Sequence, residues 1–139
     1  MKHILLSFMF CSIFVYAKSQ SPEKLIKAFF AGFEKKDWNM IASQLAEDFT
    51  FTSPNGDNHL TIKQYKDKCW ANVKFFKKIE FIQITVDGNT AFAMYNITDT
   101  ENKVAHNVEY YTFRNGKIRS IETFFGTGVH FPGNSENVK

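Results

Sequence analysis

The sequence predicts a single α+β domain in which three short helices come first and an antiparallel sheet packs on them. Three observations predict it. Apolar residues recur at helical spacing between residues 21 and 46 and again between 61 and 76, and the period falls to two from Ile79 onward. The run from Val104 to Gly126 reads as two aromatic strands joined at Asn115-Gly116, a dipeptide that can put both central residues at positive φ, as a type I′ hairpin turn requires. Finally, 139 residues with 44% hydrophobic and 17% aromatic content suffice to bury one continuous core without metal or disulfide.

The first twenty residues stand apart from that core. Lys2 and His3 form a basic start, Ile4 to Val15 an apolar run, and Tyr16 to Gln20 a polar exit with small residues, which is the layout of a secretory signal peptide cleaved after Ala17 or Gln20. The apolar run is shorter than the about 20 residues a membrane span needs. Phe8-Met9-Phe10 before Cys11 lacks the small residues of a lipoprotein processing site, so no stable membrane association is expected. The expected division is a signal peptide at 1–20, one domain at 21–126 and a Gly-, Asn- and Ser-rich tail at 127–139, in a secreted or periplasmic protein. Removing residues 1–20 leaves 15 basic against 14 acidic residues and lowers the formal charge from +3 to +1. A near-neutral domain argues against nucleic acid, because backbone binding depends on neutralising many phosphates. Only Cys69 then remains, which excludes an intrachain disulfide.

Ser21-Pro22-Glu23 opens the first helix with an N-cap, a proline at the first helical position and an acid in the first turn. Its buried stripe is Leu25, Ile26, Phe29, Phe30 and Phe33. A second helix is expected from Trp38 to Ala46, and a strand from Asp48 to Ser53 with Phe49, Phe51 and Ser53 on one face. After the turn Pro54-Asn55-Gly56-Asp57, Thr61 caps a third helix whose stripe is Ile62, Tyr65, Cys69, Val73 and Phe76. Strands are then expected at Ile79–Val86 and Thr90–Thr98, followed by the aromatic hairpin.

The order of these elements, with Phe33-Glu34-Lys35-Lys36-Asp37-Trp38, Ala46-Glu47-Asp48-Phe49, Ser53-Pro54-Asn55-Gly56 and Asn115-Gly116-Lys117-Ile118, resembles the nuclear transport factor 2-like superfamily in its SnoaL-like branch. The resemblance implies a cone-shaped α+β barrel: a curved antiparallel sheet wrapped on three N-terminal helices, with a pocket at its wide end. The segment Gly116 to Gly126 is similar to the last strand of ketosteroid isomerases, and that likeness implies three functional positions. Where those enzymes carry an aspartate base this chain has Ser53, and where they carry a tyrosine donor on the first helix it has Phe29. Glu109 matches their protonated aspartate. A serine does not replace a carboxylate as a base near neutral pH, so that isomerase mechanism is not expected. The same matching points Asn107, Glu109, Tyr111 and Phe113 inward with Ile121, Thr123 and Phe125, and leaves Val108, Tyr110 and Thr112 outside.

Glu109 is the leading candidate for chemistry, since a carboxylate on an apolar concave face has its pKa raised and can act as acid, base or ligand anchor. Its alternative is a rim Glu paired with Lys117 or Arg119. Asp57 and His59, two residues apart, form a candidate acid-oriented imidazole, against the alternative of a turn Asp and a solvated His. His106 reaches the interior only if its strand bulges. No metal spacing, phosphate loop or nucleophile elbow is present, so no metal or cofactor is expected. The leading expectation is a small apolar or amphipathic ligand held by Phe29, Phe33, Trp38, Phe51, Ser53, Tyr95, Asn107, Tyr111, Thr123 and Phe125. The alternatives are proton-transfer catalysis of an isomerase, cyclase or dehydratase kind through Glu109 or Asp57 and His59, and a structural homodimer through Phe92, Met94 and Tyr110 on the outer sheet face.

Overall fold

A computed structural model describes residues 20–125. The expected C-terminal tail and all of the expected signal peptide except Gln20 lie outside the described residues. No helix among the described residues is long and apolar enough to cross a membrane.

Helix α1 (Pro22–Glu34) begins as its sequence dictates, with Ser21 extended at the N-cap position and Pro22 in the first turn, and it buries Leu25, Ile26, Phe29 and Phe30. Gly32 lies where α1 meets α2 (Trp38–Ala42), and a Cβ there would stand 2.5 Å from Ile41 Cγ1. Asp37 caps α2 by accepting hydrogen bonds from the amides of Asn39 (2.9 Å) and Met40 (3.2 Å). The second helix was expected to reach Ala46 but stops at Ala42, because the sheet claims the chain that follows. The Ile118 amide donates to the Gln44 carbonyl (2.8 Å), the Lys117 ammonium donates to the Ser43 carbonyl, and β1 (Leu45–Ser53) starts at once.

A short strand, β2 (Asp57–Leu60), occupies what the sequence presents as turn and linker. The third helix is also shorter than its apolar stripe suggests. Helix α3 (Ile62–Lys68) has a complete capping box between Thr61 and Gln64, and then tightens into a 3₁₀ turn (Trp70–Phe75) that carries Val73 off the helical line. Strands β3 (Phe76–Asp87), β4 (Thr90–Asp99), β5 (Val104–Arg114) and β6 (Lys117–Phe124) complete the chain. At the hairpin tip Asn115 and Gly116 have φ of 51° and 70°, the signature the dipeptide predicts.

The six strands form one curved, unclosed sheet in the order β2-β1-β6-β5-β4-β3. The expected all-antiparallel sheet carries one parallel pair, β1 with β6, in which Phe51 lies beside Ile121 and Thr52 beside Glu122. A bulge between Thr112 and Phe113 shifts the β5–β6 register, so that Ile118 as well as Ile121 faces inward. Inward on β4 and β5 are Ala91, Ala93 and Tyr95, and Glu109, Tyr111 and Phe113. Their neighbours Phe92, Met94, Val108, Tyr110 and Thr112 line the outer face, matching the predicted parity.

Aromatic rings fill the space between sheet and helices. Phe30 meets Tyr95 at 4.6 Å between centroids, Tyr65 meets Phe51 at 4.8 Å and Phe49 at 5.5 Å, and Phe29 meets Phe30 at 5.3 Å. The aromatic content therefore goes into a dense core. Concavities among the described residues open elsewhere, one of about 220 Å³ on the outer face beside Phe92 and Met94 and another of about 260 Å³ beside Asp48 and Arg114.

Candidate functional site

The core has four buried polar side chains among the described residues, Ser53, Asp57, Glu109 and Thr123, and the sheet register brings them into one row. Asp57 of β2 is the registered partner of Ser53 at the end of β1. One step beyond the Thr52–Glu122 pair, Ser53 comes level with Thr123 of β6, and Thr123 is the partner of Glu109 on β5. The row ends at Ala93, opposite Glu109 on β4. Four strands thus place polar groups side by side on the inner face of an otherwise apolar sheet.

Glu109, only 6% exposed, lies at one end of that row. Thr123 Oγ1 donates to its Oε1 at 2.9 Å, the Tyr111 hydroxyl donates to its Oε2, and the Tyr95 hydroxyl is a third donor. Burial pushes the Glu109 carboxyl above its ordinary range, and the hydroxyls of Tyr111, Thr123 and Tyr95 oppose that rise without cancelling it. The hydroxyls of Tyr65, Tyr95 and Tyr111 are pushed well above 10, chiefly by burial and then by the charge of Glu109, and so remain neutral donors.

Asp57 terminates the other end in a different environment. Ser53 Oγ donates to its Oδ2 at 2.5 Å, and the half-exposed Lys68 ammonium donates to Oδ1. Burial acts to raise the Asp57 pKa, but the bonds from Lys68 and Ser53 and the Lys68 charge outweigh it and leave the carboxyl below its ordinary value. Cys69, half-buried at the end of α3, is raised to about 11 by burial and then by Asp57, and feels the charge of Glu109 as well. A thiol held there is a slow nucleophile, not an activated one.

The sequence-derived candidates divide accordingly. Ser53, Tyr111, Thr123 and Tyr95 converge on the two carboxylates. Phe29 and Phe51 are buried beside Tyr65, whereas Phe33 and Trp38 are half-buried and pack with Trp70 at 5.7 and 5.6 Å. Asn107 is half-buried opposite Tyr95. Phe125 was expected inside but lies past the end of β6 and is 36% exposed. The structure does not bring Asp57 and His59 together: His59 takes a φ of 52°, which breaks the strand's alternation, and its exposed Nδ1 pairs with Asn58 Oδ1 at 2.5 Å. Nor does Glu109 stand at the rim with Lys117 or Arg119. His106 is exposed on the outer face, 2.6 Å from Asn96 Oδ1. Lys68 and Tyr65 were missed as site residues, since a helical lysine and a stripe tyrosine carry no sequence mark of the strands they will meet.

A family model described as a SnoaL-like domain matches residues 26–121. No curated protein matches in sequence. Among solved structures, a nuclear transport factor 2-like protein of unknown function from Burkholderia xenovorans LB400 superposes with a TM-score of 0.67 at 18% identity, covering 84% of this chain and 92% of its own. TerC, crystallised with polyporic acid, gives 0.61 at 21% identity, covering 76% and 91%. A Sinorhizobium meliloti protein provisionally named a polyketide cyclase gives 0.62 at 17%, covering 73% and 94%. At such identities the likeness shows the fold.

Proposed function

The chain belongs to the SnoaL-like family of the nuclear transport factor 2-like superfamily, and from that premise we propose that its interior polar row receives the polar end of a small apolar or amphipathic molecule. One observation carries this reading: among the described residues, the buried polar side chains other than the tyrosines, Ser53, Asp57, Glu109 and Thr123, lie on a single row of the inner face. A core built for stability alone gains little from collecting them, because each buried polar group costs free energy until it is bonded. The co-crystal of TerC with polyporic acid supports the use of this fold for small molecules.

With rings filling the interior, a ligand enters by displacing side chains. The half-buried Phe33, Trp38, Trp70 and Phe76 are the rings with room to move. Binding then alters the fluorescence of Trp38 and Trp70 and slows alkylation of the nearby Cys69, followed by mass spectrometry of its peptide. Titration with a panel of apolar and amphipathic molecules tests this, and a panel that moves neither signal removes the proposal.

A second reading, proton-transfer catalysis on a carbonyl or polyketide-like substrate, is favoured by the two carboxylates being displaced in opposite directions, which fits a group that exchanges protons (Glu109) at one end of the row and one that stays ionised (Asp57) at the other. Unchanged turnover in Glu109→Gln would sink it. The outer face, where Phe92 is 51% and Phe124 54% exposed beside Met94, Val108 and Tyr110, suits a second copy of the chain. Light scattering reads that directly, and a monomer at high concentration rejects it. Export from the cytoplasm, the basis for a secreted or periplasmic location, is tested by N-terminal sequencing of the protein recovered outside it.

A further inference from the structure

We propose that the molecule bound at Glu109 is an apolar amine, held as its ammonium ion; this rests on the binding reading above. Donors and acceptors around the carboxylate are unequally committed. Glu109 can accept about four hydrogen bonds, and three hydroxyls already donate to it. Each of those hydroxyls has its one hydrogen committed to Glu109, so what Tyr95, Tyr111 and Thr123 can still offer an incoming group is oxygen lone pairs. The groups bonded to Glu109 therefore present acceptors, and an ammonium brings three N–H donors to a carboxylate and its flanking hydroxyl oxygens.

Charge points the same way. The cation of the polar row, Lys68, sits on Asp57 at the opposite end, and no lysine, arginine or histidine among the described residues bonds or pairs with Glu109. A buried carboxylate without a cation is the arrangement that gains most from one. The walls suit the rest of such a molecule, because Tyr65, Tyr95 and Tyr111 belong to the buried aromatic core that encloses the carboxylate.

The test uses three probes of one shape: 2-phenylethylammonium, 2-phenylethanol and phenylacetate, titrated into the full chain by calorimetry with Cys69 alkylation as a second readout. The ammonium is expected to bind at least tenfold tighter than the alcohol, and phenylacetate weaker than either. Glu109→Gln should remove that tenfold preference of the ammonium over the alcohol. A pH series on the unaltered protein keeps the test independent of whether the variant folds. Ammonium affinity should rise with pH as Glu109 ionises and then level off, while alcohol affinity should not rise. The other groups facing Glu109, namely Tyr95 from β4, Tyr111 beside it on β5, Tyr65 and Cys69 from α3 and Asp57 along the row, keep one protonation state through the pH 5–8 range of the titration. Alcohol binding as tight as the ammonium overturns the amine assignment and leaves interior binding standing. Failure of all three to bind or to protect Cys69 overturns both.

Discussion

Replacing Glu109 by glutamine sets burial against hydrogen bonding in one measurement. In the folded protein the carboxyl is desolvated, which favours its neutral form, while three hydroxyl donors favour the anion, and the net direction is upward from an ordinary value of 4.5. A carboxyl whose pKa is raised by folding binds its proton more tightly in the native state. The native contribution is therefore most favourable below the unfolded value, weakens as pH climbs from about 4.5 to the folded value, and is constant above it. Each tenfold gain in native proton affinity corresponds to about 1.4 kcal/mol lost by the wild type across that window. Glutamine has no such titration. At pH 4 it resembles the neutral acid, with one carbonyl oxygen for Thr123 and an amide group facing the Tyr111 hydroxyl, so the two proteins should differ by about 1 kcal/mol or less. Urea denaturation read by Trp38 and Trp70 fluorescence, repeated from pH 4 to 8, should show the wild type losing ground to Glu109→Gln as pH rises. A wild type that instead gains on the variant would mean that the hydroxyls outweigh burial, and the account of this site would be wrong in sign.

Asp57 should behave in the opposite sense. Its carboxyl is held below the ordinary value, so its contribution is present above about pH 4 and fades as pH falls through the lower folded value. Asp57→Asn is expected to cost about 1–3 kcal/mol at pH 7, with the gap to wild type closing in acid; a gap independent of pH refutes the assignment. Gly32→Ala would place a methyl 2.5 Å from Ile41 Cγ1 and 3.1 Å from its amide nitrogen. The clash should outweigh the helix-propensity gain of about 1 kcal/mol and lower the urea midpoint, for a net loss of about 1–2 kcal/mol. Thr61→Ala breaks the capping box of α3 at a cost of about 1 kcal/mol. Because α3 carries Tyr65 and leads into Cys69, that change should also speed Cys69 alkylation more than it lowers global stability, and equal effects on both would show that α3 does not open separately.

Local signals in the chain specified its elements well. Ser21-Pro22, Asp37, the Thr61–Gln64 box and Asn115-Gly116 each act within a few residues, and each appears where its stereochemistry places it. The departures come where distant strands compete with local preference. Residues 43–46 have helical periodicity, yet Lys117 and Ile118, more than seventy positions away, draw Ser43 and Gln44 into contact with β6. Residues 57–60 read as linker until β1 offers an edge to pair with. The apolar stripe after Lys68 fits a continuous helix, but the chain there must turn into β3 and tightens to 3₁₀ first.

The site was legible only in part, for a reason that lies in the pairing of β1 with β6. Glu109, Tyr111 and Thr123 share a hairpin whose register the Asn115-Gly116 turn constrains, so their common direction follows from parity along two adjacent strands. Ser53 and Asp57 reach the same row through a parallel pairing across most of the domain, and nothing in the spacing of residues 53, 57, 109 and 123 announces it. That pairing also decides which carboxylate keeps a cation. Asp57 sits at the sheet edge, where the half-exposed Lys68 can reach it from α3, while Glu109 lies on the fourth strand from that edge, where the groups bonded to it are hydroxyls of its own and neighbouring strands. Position within the sheet, more than residue type, drives two similar carboxyls in opposite directions, and it leaves the inner one as the group whose charge a ligand can still answer.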